Sequence, residues 1–202
     1  ILHLVMRMMD PTEGSISFKG AELGLWKLET YREHTGYVPQ DVFLFSDTIE
    51  NNISFGVKEF KSKEREKERI TESALDAGVL EDIKGFEHGF ETLLGERGVN
   101  LSGGQKQRIS IARALIREPE LLILDDCLSA VDVITEKHIL GRLKKGNDAR
   151  STLVVSHRIS TIKDADLILV IEEGQIVERG THQELIRTGG LYAEMDKKQE
   201  SS

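Results

Sequence analysis

Between Leu101 and Asp126 a glycine loop, a helix, a proline and an apolar strand ending in two aspartates follow one another without interruption: LSGGQKQRISIARALIREPELLILDD. Gln105 to Arg117 has helical periodicity, with Ile109, Ala112 and Ile116 on one face, and Pro119 follows its end. The run LLIL before Asp125 shows no polar alternation. It predicts a strand buried on both faces, as the strands of a parallel sheet are.

The rest of the chain repeats this strand–helix order. GSISFKG predicts a short strand, Trp26 to Arg32 a short amphipathic helical turn, and TGYVPQ a strand that ends at a polar loop. Val133 to Leu143 is helical, and TLVVS at Thr152 to Ser156 reads as another buried strand. Leu167 to Ile171, the turn Glu172-Glu173-Gly174 and Gln175 to Glu178 read as a hairpin. Lys58 to Arg69 mixes both charge signs and reads as a solvated helix surface, with Glu59 and Lys63 spaced for an i,i+4 pair. This alternation predicts an α/β fold with a largely parallel sheet flanked by helices. At 202 residues the chain suits one domain, or one domain with a subdomain.

Composition narrows the class. With 39 % hydrophobic and 31 % charged residues the chain reads as globular. A net charge of −8 argues against a broad basic face for nucleic acid. A single cysteine, Cys127, forms no intrachain disulfide and suits a reducing compartment. No apolar run approaches the ~20 residues that span a bilayer. No signal peptide is visible, since no small-residue cleavage site follows Ile1 to Met9.

The chemistry concentrates at chain reversals. In LSGGQKQR the two glycines stand where a loop becomes a helix. Backbone without Cβ can approach a phosphate closely, and the free N–H groups of a helix start favour an anion. Ser102 adds a hydroxyl donor. A plain glycine turn capping a helix is the bland alternative, but the strand and acidic pair that follow make it a poor one. LSGGQ followed by RISIARALIREPELLILDD resembles the ATPase domain of ABC transporters, where LSGGQ is the signature motif, and the resemblance covers nearly the whole chain.

That resemblance implies a P-loop NTPase-like sheet with a helical subdomain, about residues 45–118, carrying the signature motif, within one partial ABC ATPase domain over 1–202. It assigns ATP contacts to Ser102, Gly103, Gly104, Gln105 and Asp132, Mg²⁺ to Asp125 and Gln40, and catalysis to Asp126, His157 and Gln40. A carboxylate at the end of a buried strand is placed to hold Mg²⁺, usually through water. The family usually carries Glu where this chain has Asp126, one methylene shorter. A shortfall of roughly 1 Å can cost on the order of 100-fold in rate, so an impaired site is expected, the alternative being that Asp126 works with a small backbone shift. SAVD, Ser129 to Asp132, resembles the D-loop that crosses to the partner, although Asp132 equally suits a helix N-cap. TLLGERG, Thr92 to Gly98, and SDTIENNI resemble exporters rather than importers. Cys127 reads as a small buried side chain rather than a reactive thiol.

The family's first phosphate loop, G-x-x-x-x-G-K-[ST], occurs nowhere in the chain. ILHLVMRMM reads as a buried helix without a capped start and matches the helix that follows that loop, so the chain is expected to begin just beyond it. The expected function is the ATP-binding and hydrolysing domain of an ABC exporter at the cytoplasmic face of a cell membrane. Its expected partners are transmembrane domains and a second ATPase domain, paired head to tail as a heterodimer, with no nucleic acid. A soluble ABC-type ATPase and a noncatalytic fragment are the alternative readings.

Overall fold

The computed structural model describes residues 1–95, 100–146 and 150–200, and the chain divides into two compact units, Ile1–Leu153 and Val154–Ser202. The first opens with α1, Leu2–Val5. This is shorter than the apolar run suggested. Arg7 adopts a left-handed φ of 50° and ends the helix. The Val5 carbonyl accepts from the Tyr31 hydroxyl at 2.6 Å instead of from a further helical turn. Met6 is buried, whereas Ile1, Met8 and Met9 are exposed, so the expected all-round burial does not occur.

Strands β1, Ser17–Phe18, and β2, Ala21–Glu22, form a hairpin. Its two turn residues, Lys19 and Gly20, both have positive φ, the geometry that matches strand twist. A 3₁₀ turn over Leu23–Leu25 and α2, Leu28–Glu33, lead into β3, Thr35–Val38. Next come α3, Ile49–Ser54, α4, Lys63–Asp76, and α5, Leu80–Gly85. Thr48 caps α3 by accepting from the Asn51 N–H, and Ser62 caps α4 by accepting from the Arg65 N–H. Glu59 therefore precedes α4, and the expected Glu59–Lys63 helix pair is replaced by Arg65–Glu68 and by Arg69 with Glu72 and Glu118.

Helix α6, Gly103–Leu115, is the centre of this unit. Gln107, Ile109, Ser110, Ile111, Ala112, Ala114 and Leu115 are all buried, which is burial nearly all round. β4, Leu121–Asp125, runs parallel to β3 with Tyr37 opposite Ile123 and Val38 opposite Leu124. Leu122, Ile123 and Leu124 are fully buried. Each such side chain stabilises the fold by about 1.5–3 kcal/mol relative to exposure. Helix α7 spans Val133–Gly146. β5, Ser151–Val155, completes a sheet in the order β3-β4-β5. It is less buried than expected, with Leu153 and Val154 only partly covered and Ser151, Thr152 and Val155 exposed.

The second unit holds α8, Ile159–Ile162, the hairpin of β6, Ile168–Glu172, and β7, Gln175–Gly180, then α9, His182–Thr188, and α10, Leu191–Glu200. The hairpin is antiparallel as expected, with a register shift at Val170/Ile171. Ile159, Ile168, Leu185 and Tyr192 form its core. Among the described residues no helix is long and apolar enough to cross a membrane.

Candidate functional site

The parallel register fixes where the predicted residues emerge. Because Val38 pairs with Leu124, the segments that begin at Pro39 and Asp125 leave the sheet side by side. Gln40 is exposed just beyond β3. Asp125 closes β4 half-buried, and its Oδ2 accepts a hydrogen bond of 3.2 Å from the Tyr37 hydroxyl. Burial pushes the Tyr37 phenol above its ordinary range, and the Asp125 carboxylate beside it adds to the shift. Tyr37 thus ties the two strand ends together. Sequence reasoning passed over it inside TGYVPQ, where it read as a strand residue.

Asp126 departs from the strand with a φ of 44°, a left-handed conformation that Asp tolerates better than most residues. Its carbonyl accepts from the Ser129 hydroxyl at 3.0 Å, closing a tight turn. Cys127 is buried inside that turn, and burial pushes its thiol up to about 12. At the turn's far end Asp132 caps α7. Its Oδ1 accepts from the N–H groups of Ile134 and Thr135 at 3.1 and 3.0 Å, and the Thr135 bonds hold its carboxyl below the ordinary range.

The signature segment is a helix start closed by two reciprocal bonds. Ser102 Oγ accepts from the Gln105 N–H at 3.2 Å, and Gln105 Oε1 accepts from the Ser102 N–H at 3.0 Å, a capping box. The Ser102 hydroxyl hydrogen stays available as a donor. The N–H groups of Gly103 and Gly104 are the first of the helix and have no intrahelical acceptor. Gln105 also donates through Nε2 to Asp82 Oδ1 at 2.9 Å, and Arg108 pairs with the same carboxylate at 3.1 Å. Asp82, on α5, is a residue that sequence reasoning missed.

Gly103 and Gly104 abut the turn beyond the acidic pair. The neighbour nearest a Cβ on Gly103 would be Ala130 Cβ at 3.6 Å, and on Gly104 it would be Ala130 O at 2.9 Å. Buried Gln107 accepts from the Ala130 N–H at 3.2 Å. Helix α6 and the turn 126–132 are therefore bound together within the chain.

The loop after Gln40 is anchored by Arg113, also missed in the sequence. Its guanidinium donates to the carbonyls of Asn52 and Phe43 and to Asn52 Oδ1, and it lies over the rings of Phe45 and Phe55. The available signal was a charge inside ISIARAL, between two buried alanines. Of TLLGERG, Thr92 and Leu94 bond to the α3 cap region, and Glu96 to Gly98 lie outside the described residues. His157 is exposed beyond β5, in the second unit, and its carbonyl accepts from Gln199 Nε2 at 2.7 Å.

Among the described residues no three His, Cys, Asp or Glu side chains converge as a metal cage. The exposed Gln40 amide and the half-buried Asp125 carboxylate instead suit a hard cation that keeps most of its water and phosphate ligands, as Mg²⁺ does.

Residues 1–129 match the model of the ABC transporter family. The chain is 45% identical over 201 residues to "ATP-binding cassette sub-family B member 6" of Xenopus tropicalis, covering 100% of this chain and 23% of that protein. It is 44% identical over 200 residues to "Probable multidrug resistance ABC transporter ATP-binding/permease protein YheI" of Bacillus subtilis (strain 168), covering 99% and 33%. Among solved structures it resembles "Structure of a bacterial Atm1-family ABC exporter with ATP bound", with a TM-score of 0.90 and 39% identity over 98% of this chain and 34% of that one. The chain spans about a quarter to a third of the length of these relatives.

Proposed function

This chain belongs to the ABC transporter family, and from that premise we propose that it is the ATP-binding and hydrolysing part of an exporter. The observation that carries the reading is the register of β3 on β4, which brings out Gln40 and the Asp125–Asp126 pair at the carboxyl end of the sheet. Ligands of open α/β sheets bind at that end.

Asp125 and Gln40 hold Mg²⁺, which when bound neutralises charge on the phosphates. Asp126 orients the attacking water, Gln40 supports it, and His157 contacts the terminal phosphate. Ser102, Gly103, Gly104 and Gln105 serve a partner's nucleotide, with the Ser102 hydroxyl and the two glycine N–H groups as donors. Asp132, at the end of the turn 126–132 that abuts this helix start, joins them at the partner's nucleotide. Residues 45–118 form the helical subdomain that carries this surface.

Asp126 in place of Glu makes the chain's own site slow while its signature side stays competent. This asymmetry favours a heterodimer with a second ATPase domain, paired head to tail. Two of the relatives named above are by name a transporter and an exporter. Their likeness supports transmembrane domains as partners and the cytoplasmic face of a membrane as the working place.

The test is Mg²⁺-dependent ATP hydrolysis by the full-length protein. Saturable turnover that falls at least 10-fold in Ser102→Ala, with single-turnover hydrolysis at the chain's own site falling at least 10-fold in His157→Ala, is the expected result. Turnover untouched by either substitution sinks the reading.

A further inference from the structure

The loop around His157 is held from an unexpected place. Helix α10 is seated at its start by Glu178, whose carboxylate accepts from the N–H groups of Leu191 and Tyr192 at 2.6 and 3.1 Å. Tyr192 and Met195 then pack on the core of Ile159, Ile168 and Leu185. Tyr192, Met195 and Gln199 are spaced i, i+3, i+7, which puts them on one stripe of the helix. The stripe is apolar where it meets the core and ends in an amide.

Both ends of that amide are engaged. Gln199 Nε2 donates to the His157 carbonyl at 2.7 Å, and Gln199 Oε1 accepts from the Ile159 N–H at 2.8 Å. Ile159 opens the four-residue helix α8, and its N-cap, Arg158, makes no side-chain cap bond. The first N–H groups of a helix have no partner inside it, so Gln199 supplies the missing cap from 40 residues away. Between the two bonds, the Arg158 N–H donates to Ser156 Oγ at 3.0 Å. The amide can make both bonds in only one orientation, because a flip would set oxygen against oxygen and N–H against N–H.

We propose that Gln199 is a positioning residue for His157. It fastens the backbone at the His157 carbonyl and again at the Ile159 N–H, and so fixes the direction from which the imidazole reaches the nucleotide. The proposal rests on the reading of His157 as a member of the nucleotide site. A position set in the backbone matters most where geometry is most demanding, in the transition state, so its loss lowers kcat and leaves substrate binding alone.

The experiment compares Gln199→Ala, Gln199→Glu and His157→Ala in the full-length protein. Three readouts are taken: ATP turnover at the chain's own site, thermal midpoint, and hydrogen exchange at the Ile159 amide. In Gln199→Ala the Ile159 amide is expected to exchange on the order of 10-fold faster. Its kcat falls on the order of 10-fold, with KM and the thermal midpoint unchanged. Gln199→Glu keeps the acceptor for Ile159 but turns a carboxylate towards the His157 carbonyl. It should retain Ile159 protection and still lose kcat. If His157→Ala lowers turnover while both Gln199 variants keep the parent kcat, the site reading stands and the proposal alone falls. If His157→Ala leaves turnover intact, the site reading fails and takes the proposal with it.

Discussion

The carbonyl oxygen of Ala130 lies 2.9 Å from where a Cβ on Gly104 would stand. The second signature glycine is therefore required by the fold itself, before any phosphate arrives. Gly104→Ala forces either the helix start or the turn 126–132 to move, and overpacking of this kind costs about 1–3 kcal/mol. Gly103→Ala meets only Ala130 Cβ, at an ordinary 3.6 Å. Urea denaturation is expected to show a clear loss for Gly104→Ala and none for Gly103→Ala. ATP turnover in the full-length assembly should fall in both, because the methyl added by Gly103→Ala still crowds an approaching phosphate.

The Asp126 carboxylate is the one site group expected to be improved by lengthening. Asp126→Glu restores the missing methylene and is expected to raise turnover at the chain's own site by on the order of 10- to 100-fold. Asp126→Asn should lower it further. The gain carries a modest stability cost, since Glu is less at ease than Asp at a φ of 44°. Single-turnover ATP hydrolysis and a thermal melt of each variant measure the two effects. Equal turnover in the parent and in the Asp126→Glu variant overturns the impaired-site reading.

Local chemistry made much of the fold legible. The apolar run at 121–124, the periodicity of 105–117 and the Gly174 turn each have a cause within about ten residues, and each element formed with its ends shifted by a few positions. What stayed hidden depends on distant partners. Gly104 needed Ala130, Gln105 needed Asp82, Arg113 needed Asn52 and Phe43, and Ile159 needed Gln199. The N-terminal apolar run misled because its pattern speaks of burial, whereas the chain ends the helix at Arg7 and leaves Met8 and Met9 in solvent.

Cys127 gives a pH signature. Burial raises its thiol to about 12 in the folded protein, against an ordinary value of 9.0. The folded state thus holds its proton above pH 9, where the unfolded chain has released it. The contribution to stability is fully present below about pH 9 and is lost as pH rises towards 12. Urea midpoints should fall across that window in the parent and fall less in Cys127→Ala. Native protein at pH 8 should resist iodoacetamide, with rapid labelling only after unfolding.

The pairing of Asp82 with Arg108 makes the sharpest stability test. The Arg108 side chain is 13% exposed and that of Asp82 27%, so both are largely withdrawn from water. Arg108 Nε is buried and unpartnered among the described atoms, which leaves its terminal nitrogen on Asp82 to compensate the charge. Asp82→Ala strands that guanidinium and also frees the Gln105 amide, and is expected to cost about 1.5–3 kcal/mol. Asp82→Asn keeps an acceptor for Gln105 while removing the charge, so its cost is smaller. Adding Arg108→Met to Asp82→Ala removes the stranded cation and should recover much of the loss, as replacing both members of a withdrawn pair does. Urea denaturation of the full double-mutant cycle reads the coupling directly. Strict additivity would show that Asp82 and Arg108 act independently, and that the signature helix takes its position from elsewhere.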